Sequence, residues 1–469
     1  MTDNKIEGVA STVRRAVGFA FVGSFALLVP VFVAWGELRT IVGLIPIGSV
    51  LDPVQAMTIV VSIPFLAVTA LSLITTHGRL FDLFAFPADH EEGRLYGLAS
   101  FCFVTAGLTV FALQFELSLP AFVASVFLLV YGNLAEKAAR QSMTDPFVLT
   151  TVFAGAAFCM GIIGQVLTMS ILGTSLSLSL VVFLGASGSL LAALLRSMLF
   201  DRDDPIVLLS VAFALWLFAD LPISLDRIHV VGGLCLSLVF GYLSYALETA
   251  SVTGMLSGVL LALLTVALGD YGWFAVLISF FVVGGLSTKF RYESKRHRGL
   301  AQENEGARGS GNVLANSAVA LIAVIGAAAH TTLGIPESVF LFAFTGAIAA
   351  AMSDTLSSEI GGLFGPPRLI TTMRPVKPGT DGGVTWQGFA AGVGGAAIVA
   401  TITVVFFDIT APGAGVVVLA GVVGMTVDSL LGATVEGPLL DNMAVNFLAT
   451  LSAALVAVGT SLGTGVVVL

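Results

Sequence analysis

The stretch SVFLFAFTGAIAAAMSDTLSSEIGG, residues 338–362, carries no charge over its first sixteen residues and then places Asp354 and Glu359 near its end. About 20 predominantly apolar residues cross a bilayer as a helix, and this run is built for that environment until the acids arrive. On insertion scales an Asp at the centre of a membrane helix costs roughly 2.5 to 3.5 kcal/mol, so an acidic side chain at membrane depth faces a polar cavity, a partner or a ligand. The two carboxylates therefore pose a functional question inside a membrane-type sequence.

The remaining chain repeats the apolar pattern. Of 469 residues 57% are hydrophobic and 10% charged, and the mean hydropathy is +1.01. Such a composition leaves no room for a sizeable soluble domain and predicts an all-α, polytopic transmembrane helical bundle. Apolar runs fall at 17–35, 54–76, 95–113, 117–135, 147–168, 176–197, 206–222, 228–247, 252–269, 271–288, 313–333, 337–352, 387–407, 413–433 and 444–468, which gives about 15 spans (14–16). The first run follows Arg14 and Arg15 without a cleavage-site pattern, so it is expected to be a retained helix.

Charge sets the orientation. With the N-terminus in the cytoplasm, only Arg39 and Arg227 of the twenty basic residues fall outside, which is the asymmetry the positive-inside rule demands. An odd count leaves the C-terminus outside, and the expected location is the cell membrane, multi-pass. The formal charge of −9 argues against a nucleic-acid partner. Cys102, Cys159 and Cys235 stand alone in apolar runs and read as packing residues.

Two halves are distinguishable. Residues 1–288 have short loops with scattered charges, whereas residues 289–469 hold two long polar inside loops and nine of the twenty basic residues between Lys289 and Lys377. Long loops are where function concentrates. The first loop carries Lys289, Arg291, Lys295 and Arg308, and the next span opens with Asn312 and Asn316 on one helix face. A helix N-terminus offers free N–H groups to a phosphate; contact with anionic lipid headgroups and an ordinary helix cap stay open as readings. In the second loop, PGTDGGV (378–384) supplies Gly379, Thr380, Gly382 and Gly383 beside Arg374 and Lys377, a turn able to gather N–H groups on an anion or to act as a simple connector.

The acids complete the set. Asp354 has Ser357 and Ser358 at i+3 and i+4 with Glu359 beside them, and GMTVDSLLGATVEGP places Asp428 at the inside end of another helix running in the same direction. Asp441, Asn442 and Asn446 enter the last span. Carboxylates and an anionic ligand coexist when Mg²⁺ lies between them, since this ion takes one or two carboxylates together with phosphate oxygens. Asp354, Glu359, Asp428 and Asp441 are thus the expected metal ligands.

The stretches NVLAN (312–316), SDTLSSEIG (353–361), PRLITTMRPVKPGTDGGVT (367–385) and DSLLGATVEGPLLDN (428–442), followed by VN, resemble the integral-membrane family that includes plant and cyanobacterial phytyl-phosphate kinase. The resemblance implies transfer of a phosphoryl group from a nucleoside triphosphate, CTP in that family, to an isoprenyl monophosphate such as phytyl or geranylgeranyl phosphate. It implies Mg²⁺ as cofactor, and as partners an isoprenyl phosphate lipid, the nucleotide and membrane lipids. Asp354, Asp428, Arg374 and Lys377 then form the expected catalytic set. Lys289, Arg291, Lys295, Arg308, Asn312, Asn316, Ser358, Gly379, Thr380, Gly382, Gly383 and Asn446 are the expected substrate- and nucleotide-binding residues. ADHEEGRLYGLASF (88–101) and VYGNLAEKAAR (130–140) resemble the phytol and dolichol kinases more faintly, and Asn133 stands where those kinases have an acid, which implies a degenerate or structural first half. A cytidylyltransferase forming a CDP-lipid and a secondary transporter remain the rival functions.

Overall fold

A computed structural model describes residues 2–35, 52–223, 225–247, 251–300, 310–437 and 439–469. They are almost wholly helical, and thirteen of the helices are long and apolar enough to cross a membrane. All fifteen apolar runs of the sequence coincide with helices. Two of these, Asp204–Asp220 and Val252–Leu268, are 17 residues long and fall short of the length that defines the thirteen. The protein is an integral membrane helical protein of many spans.

The chain divides into two compact units, Met1–Leu221 and Pro222–Leu469. This division lies N-terminal of the 288/289 boundary that loop length suggests. Packing explains the difference, because the helices just before residue 288 bury themselves against those that follow it.

The first unit contains α1 (Thr2–Gly23), α2 (Leu28–Ala34), α3 (Pro53–Ile74), the short α4 (Arg79–Phe84) and α5 (Pro87–Glu92), then α6 (Tyr96–Gln114), α7 (Leu119–Ala139), α8 (Pro146–Leu172), α9 (Leu178–Met198) and α10 (Asp204–Asp220). Helix α7 is its axis, packed by α1, α8, α9 and α10. Its stretch from Ala121 to Val130 is at most 3% exposed. At one end of α7 a network of charges closes on itself: the Arg196 guanidinium pairs with Glu136, Asp201 and Asp204, and Lys137 Nζ lies 2.8 Å from Asp201. Asn133 donates to Asp204 Oδ2 at 2.7 Å. The residue that stands where the kinases carry an acid is therefore tied into an ion-pair lock.

The second unit contains α11 (Arg227–Ala246), α12 (Val252–Leu268), α13 (Tyr271–Lys289), the short α14 (Tyr292–His297), α15 (Ser310–Ala328), the short α16 (His330–Leu333), α17 (Glu337–Gly361), α18 (Trp386–Phe407), α19 (Ala411–Thr434) and α20 (Asn442–Gly463). A two-stranded antiparallel ribbon, β1 (Arg368–Leu369) with β2 (Gly383–Val384), sits between α17 and α18. Helix α17, the helix of residues 338–362, is the hub, and α13, α15, α18, α19 and α20 all pack on it. Lipid offers no hydrophobic drive for helix association, so such contacts rely on small residues that let backbones approach. Gly388 shows the principle: a Cβ there would stand 2.6 Å from the Ser357 carbonyl oxygen and 3.0 Å from the Gly361 Cα, so α17 and α18 meet at the end where the acids lie.

Candidate active site

The cleft at the C-terminal ends of α17 and α19 is about 290 Å³ in volume. Asp354, Ser357, Ser358 and Glu359 enter it from α17, Asp428 and Ser429 from α19, the turn at 378–383 from the connecting loop, and Glu436 and Asn442 from the chain between α19 and α20. Asp354, Asp381, Asp428 and Glu436 line it, and among the described residues no lysine or arginine forms an ion pair with Asp381, Asp428 or Glu436.

Each acid is positioned by ordinary helix geometry. Asp354 lies seven residues before the end of α17 and Asp428 six before the end of α19, roughly 10 Å from each terminus. Their carboxyl groups come within hydrogen-bond reach of each other, and because Gly346 meets Ala420 and Ala350 meets Gly424 at the same offset, α17 and α19 run in parallel as the matching Asp-Thr-Leu and Asp-Ser-Leu patterns suggest. Two carboxylates at such spacing repel unless a proton or a cation lies between them. Both helix C-termini add partial negative charge to the same place, which favours a cation further. Asp428 Oδ2 is buried and has no hydrogen-bond partner.

Glu436 lies beyond the end of α19, and its carboxyl is pushed above the ordinary glutamate value, first by partial burial and then by the charges of Asp381, Asp428 and Asp441. This residue and Asp381 were not in the expected ligand set. The signal for Asp381 was the glycine turn itself, whereas Glu436 lies past the helix end, where spacing arguments give out.

The glycine turn has a different construction from an open anion cradle. Thr380 N–H and Oγ1 both donate to the Lys377 carbonyl, at 3.2 and 2.8 Å, and Gly383 N–H donates to the Thr380 carbonyl at 2.9 Å. Part of the donor supply is thus spent in closing the turn, which presents Asp381 to the other acids. Gly382, at φ +73°, lies flat on α19: a Cβ there would meet Ala433 Cβ at 2.5 Å and the Ser429 carbonyl at 2.6 Å. Thr385 ties the loop back, accepting from Gly388 N–H at 3.1 Å and donating to the Gly361 carbonyl at 3.4 Å.

Several expected residues hold other positions. Lys295, 3% exposed, donates to Glu359 Oε2 at 2.5 Å and to the carbonyls of Ser287 and Thr288 at 2.7 and 3.2 Å, so Lys295 and Glu359 form a buried tie in the wall of the cleft. Asp441 caps α20, its Oδ1 accepting from Ala444 N–H at 2.8 Å, and it is Asn442 that reaches the cleft. Arg374 and Lys377 are exposed on the loop and do not line the cleft. Lys289 caps α11 through a 2.5 Å bond to the Leu247 carbonyl, and Arg291 lies over the Phe290 ring. Asn316 donates to the Asn312 carbonyl at 2.9 Å, and Asn446 is buried one turn into α20, with none of the three lining the cleft. Ser358 lines it while donating to the Asp354 carbonyl at 2.7 Å. Arg308 lies outside the described residues.

Among the described residues no three His, Cys, Asp or Glu side chains close on one point as a complete metal cage. A pair of facing carboxylates with an unpartnered oxygen is instead the donor set of an ion that keeps its remaining positions for water and phosphate. The residues fit Mg²⁺ in that mode, through Asp354 and Asp428.

Residues 235–454, from within α11 to within α20, match the family described as integral membrane protein DUF92. Over 232 residues the chain is 32% identical to Protein PGR of Arabidopsis thaliana, an overlap covering 45% of this chain and 80% of that protein. The chain belongs to the DUF92 family. This is the integral-membrane family that its motifs resemble. A second relative, Protein VTE6, chloroplastic, of Arabidopsis thaliana, is 30% identical over 193 residues, 40% of this chain and 56% of that protein. An uncharacterized membrane protein of Methanocaldococcus jannaschii is 36% identical over 191 residues, 40% of this chain and 76% of that protein. No solved structure matches the chain. The DUF92 match lies within the second compact unit, the one that holds the acidic cleft.

Proposed function

We propose that the DUF92 unit of this protein transfers the γ-phosphoryl group of a nucleoside triphosphate, CTP foremost, to an isoprenyl monophosphate, giving the diphosphate. The observation that supports this reading best is the meeting of Asp354 and Asp428 where two parallel helices end, beside a glycine turn. When bound there, Mg²⁺ would supply the positive charge that neutralises the phosphate groups. Asp354 and Asp428 would hold it, with Asp381 and Glu436 adding negative charge from the next layer. The tie between Lys295 and Glu359 fixes the end of α17 against α13 and so holds Asp354 in place. A phosphate monoester acceptor has a second pKa near 6 and is already anionic at neutral pH. The cleft then has to position and neutralise more than to abstract a proton, in keeping with a lining that contains no histidine among the described residues.

Purified protein given geranylgeranyl monophosphate, Mg²⁺ and CTP labelled at either the α or the γ position tests the reading. Label from the γ position in a lipid diphosphate, with CDP released, is the expected result. Label from the α position with pyrophosphate released identifies a cytidylyltransferase, and the absence of any nucleotide turnover overturns the kinase assignment in favour of transport.

A further inference from the structure

A groove of about 390 Å³ runs between α11, α12 and α13 on the far side of the last turn of α13 from the acidic cleft. Its walls are apolar, with Phe240, Phe274 and Phe281 among them, and Lys289 is the one charged residue lining it among the described residues. From Ser237 to Leu247 on α11 it extends about 15 Å at the rise of an α-helix. Ala262, Val266 and Phe274, with Phe240 packed on them, close the inner end.

Three observations indicate that the groove is made to be filled. Glycines inside membrane helices ordinarily permit close packing, as Gly241 does here against Val259. Gly258 and Gly285 also line the groove, yet a Cβ at either would meet nothing within 4 Å. Each carries the helix-propensity cost of glycine, about 1 kcal/mol, while keeping open a channel that an alanine or leucine would narrow. Ser237, 1% exposed at the inner end, has a hydroxyl without a hydrogen-bond partner. Such a group finds no match in a saturated chain but a weak one in a π face. Finally, the polarity is that of an amphiphile: apolar along its length, with the Lys289 ammonium at the end nearest the cleft. The last turn of α13 separates the two, its Ser287 and Thr288 carbonyls bonded to Lys295 on the cleft side while Gly285, Leu286 and Lys289 face the groove.

We infer that this groove seats the unsaturated isoprenyl tail of the lipid phosphate, with Lys289 at the phosphate end. The identity of the tail rests on the isoprenyl-phosphate reading above; the seat itself rests on the groove. Gly258 and Gly285 set the room available, and Ser237 marks where the tail ends.

The test uses the full chain in nanodiscs and a geranylgeranyl monophosphate analogue carrying a diazirine in its tail, with no nucleotide present. Photolabel is expected within α11, α12 and α13, displaced by unlabelled geranylgeranyl monophosphate but not by phosphatidylglycerol. Gly258→Leu and Gly285→Leu, which fill open space and favour the helix, should each weaken labelling about tenfold, the loss expected when roughly two methylene groups no longer find burial. Labelling displaced equally by phosphatidylglycerol identifies boundary lipid only and overturns the inference, as does label outside these helices or labelling unchanged in both glycine variants. Because the readout needs no turnover, a protein that labels here without phosphoryl transfer keeps the tail seat and loses the kinase reading.

Discussion

Lys295 Nζ lies 2.5 Å from Glu359 Oε2 in a site where neither side chain is more than 9% exposed, while five residues earlier on the same helix Asp354 faces Asp428. One carboxylate of α17 has a protein cation and the other has a carboxylate for a neighbour. Two acids five residues apart on one helix thus divide into a structural role and a chemical one.

The two roles separate under mutation. Lys295→Ala leaves Glu359 buried without its partner, a change that costs about 3–5 kcal/mol, so thermal unfolding in detergent should fall sharply. Asp354→Asn and Asp428→Asn relieve a repulsion, so each should unfold at or above the wild-type temperature while losing more than about a hundredfold in phosphoryl transfer, beyond the range seen for outer-layer ligands. Near-normal turnover in both Asp variants at saturating Mg²⁺ removes them from the site.

Glu436 provides a pH-dependent check. Its folded pKa is raised above the ordinary 4.5, so it contributes stability that is complete below pH 4.5 and is lost as the pH rises through the folded value. At neutral pH, in EDTA, the ionised side chain therefore works against the fold. Glu436→Gln should unfold at a higher temperature than the wild type at neutral pH, the gap closing below pH 4.5. Mg²⁺ should also close the gap at neutral pH by offsetting the charge of the cleft. A gap independent of both pH and Mg²⁺ would show that Glu436 does not share the field of Asp381 and Asp428.

Gly382 fixes the turn against α19. Alanine there would need both a left-handed backbone, at a cost of order 1–3 kcal/mol, and space already taken by Ala433 and Ser429. Gly382→Ala should abolish turnover with helical content unchanged. Thr380→Ala, which removes a hydrogen bond inside the turn, should reduce activity less.

The same packing dictates where orientation can be read. A cysteine at the exposed Lys377, in a background without Cys102, Cys159 and Cys235, should react with a membrane-impermeant thiol reagent only from the cytoplasmic side. Reaction from the opposite face reverses the orientation drawn from the loop charges.

Helix positions were legible because membrane spans are written in hydropathy, and every apolar run became a helix. Asp354 and Asp428 stand out for the same reason, as an acid at membrane depth needs a cavity, a partner or a ligand, and both line the cleft. The basic residues do not. Charge alone marks Lys289, Lys295 and Arg374 equally, but Lys295 is buried on two carbonyls and Glu359, Lys289 caps α11, and Arg374 is exposed. Those fates depend on which helix ends meet, a tertiary fact without a local signal. Asp441 misled in a related way, because an acid opening a span is also what an N-cap looks like, and its neighbour Asn442 takes the place in the cleft.

The acid lining of the cleft makes the final prediction, that lipid phosphate binding depends on Mg²⁺ before any chemistry occurs. Lys295 is the one basic side chain in the lining among the described residues, and it is already paired with Glu359. A phosphate dianion approaching Asp354, Asp381, Asp428 and Glu436 meets like charge that an interposed divalent ion must reverse. Geranylgeranyl monophosphate should therefore bind in Mg²⁺ and lose at least about tenfold in affinity in EDTA, whereas geranylgeraniol, carrying no charge, should bind alike in both. In the Asp428→Asn protein the Mg²⁺ dependence of monophosphate binding should shrink as the repulsion falls. Geranylgeraniol should also be a poor phosphoryl acceptor, since its hydroxyl needs deprotonation and the phosphate does not. Isothermal titration of the two ligands, followed by turnover assays on both, measures all of this. Mg²⁺-independent binding of the monophosphate would place its head group outside the acidic cleft, and equal conversion of the alcohol would make the protein an alcohol kinase.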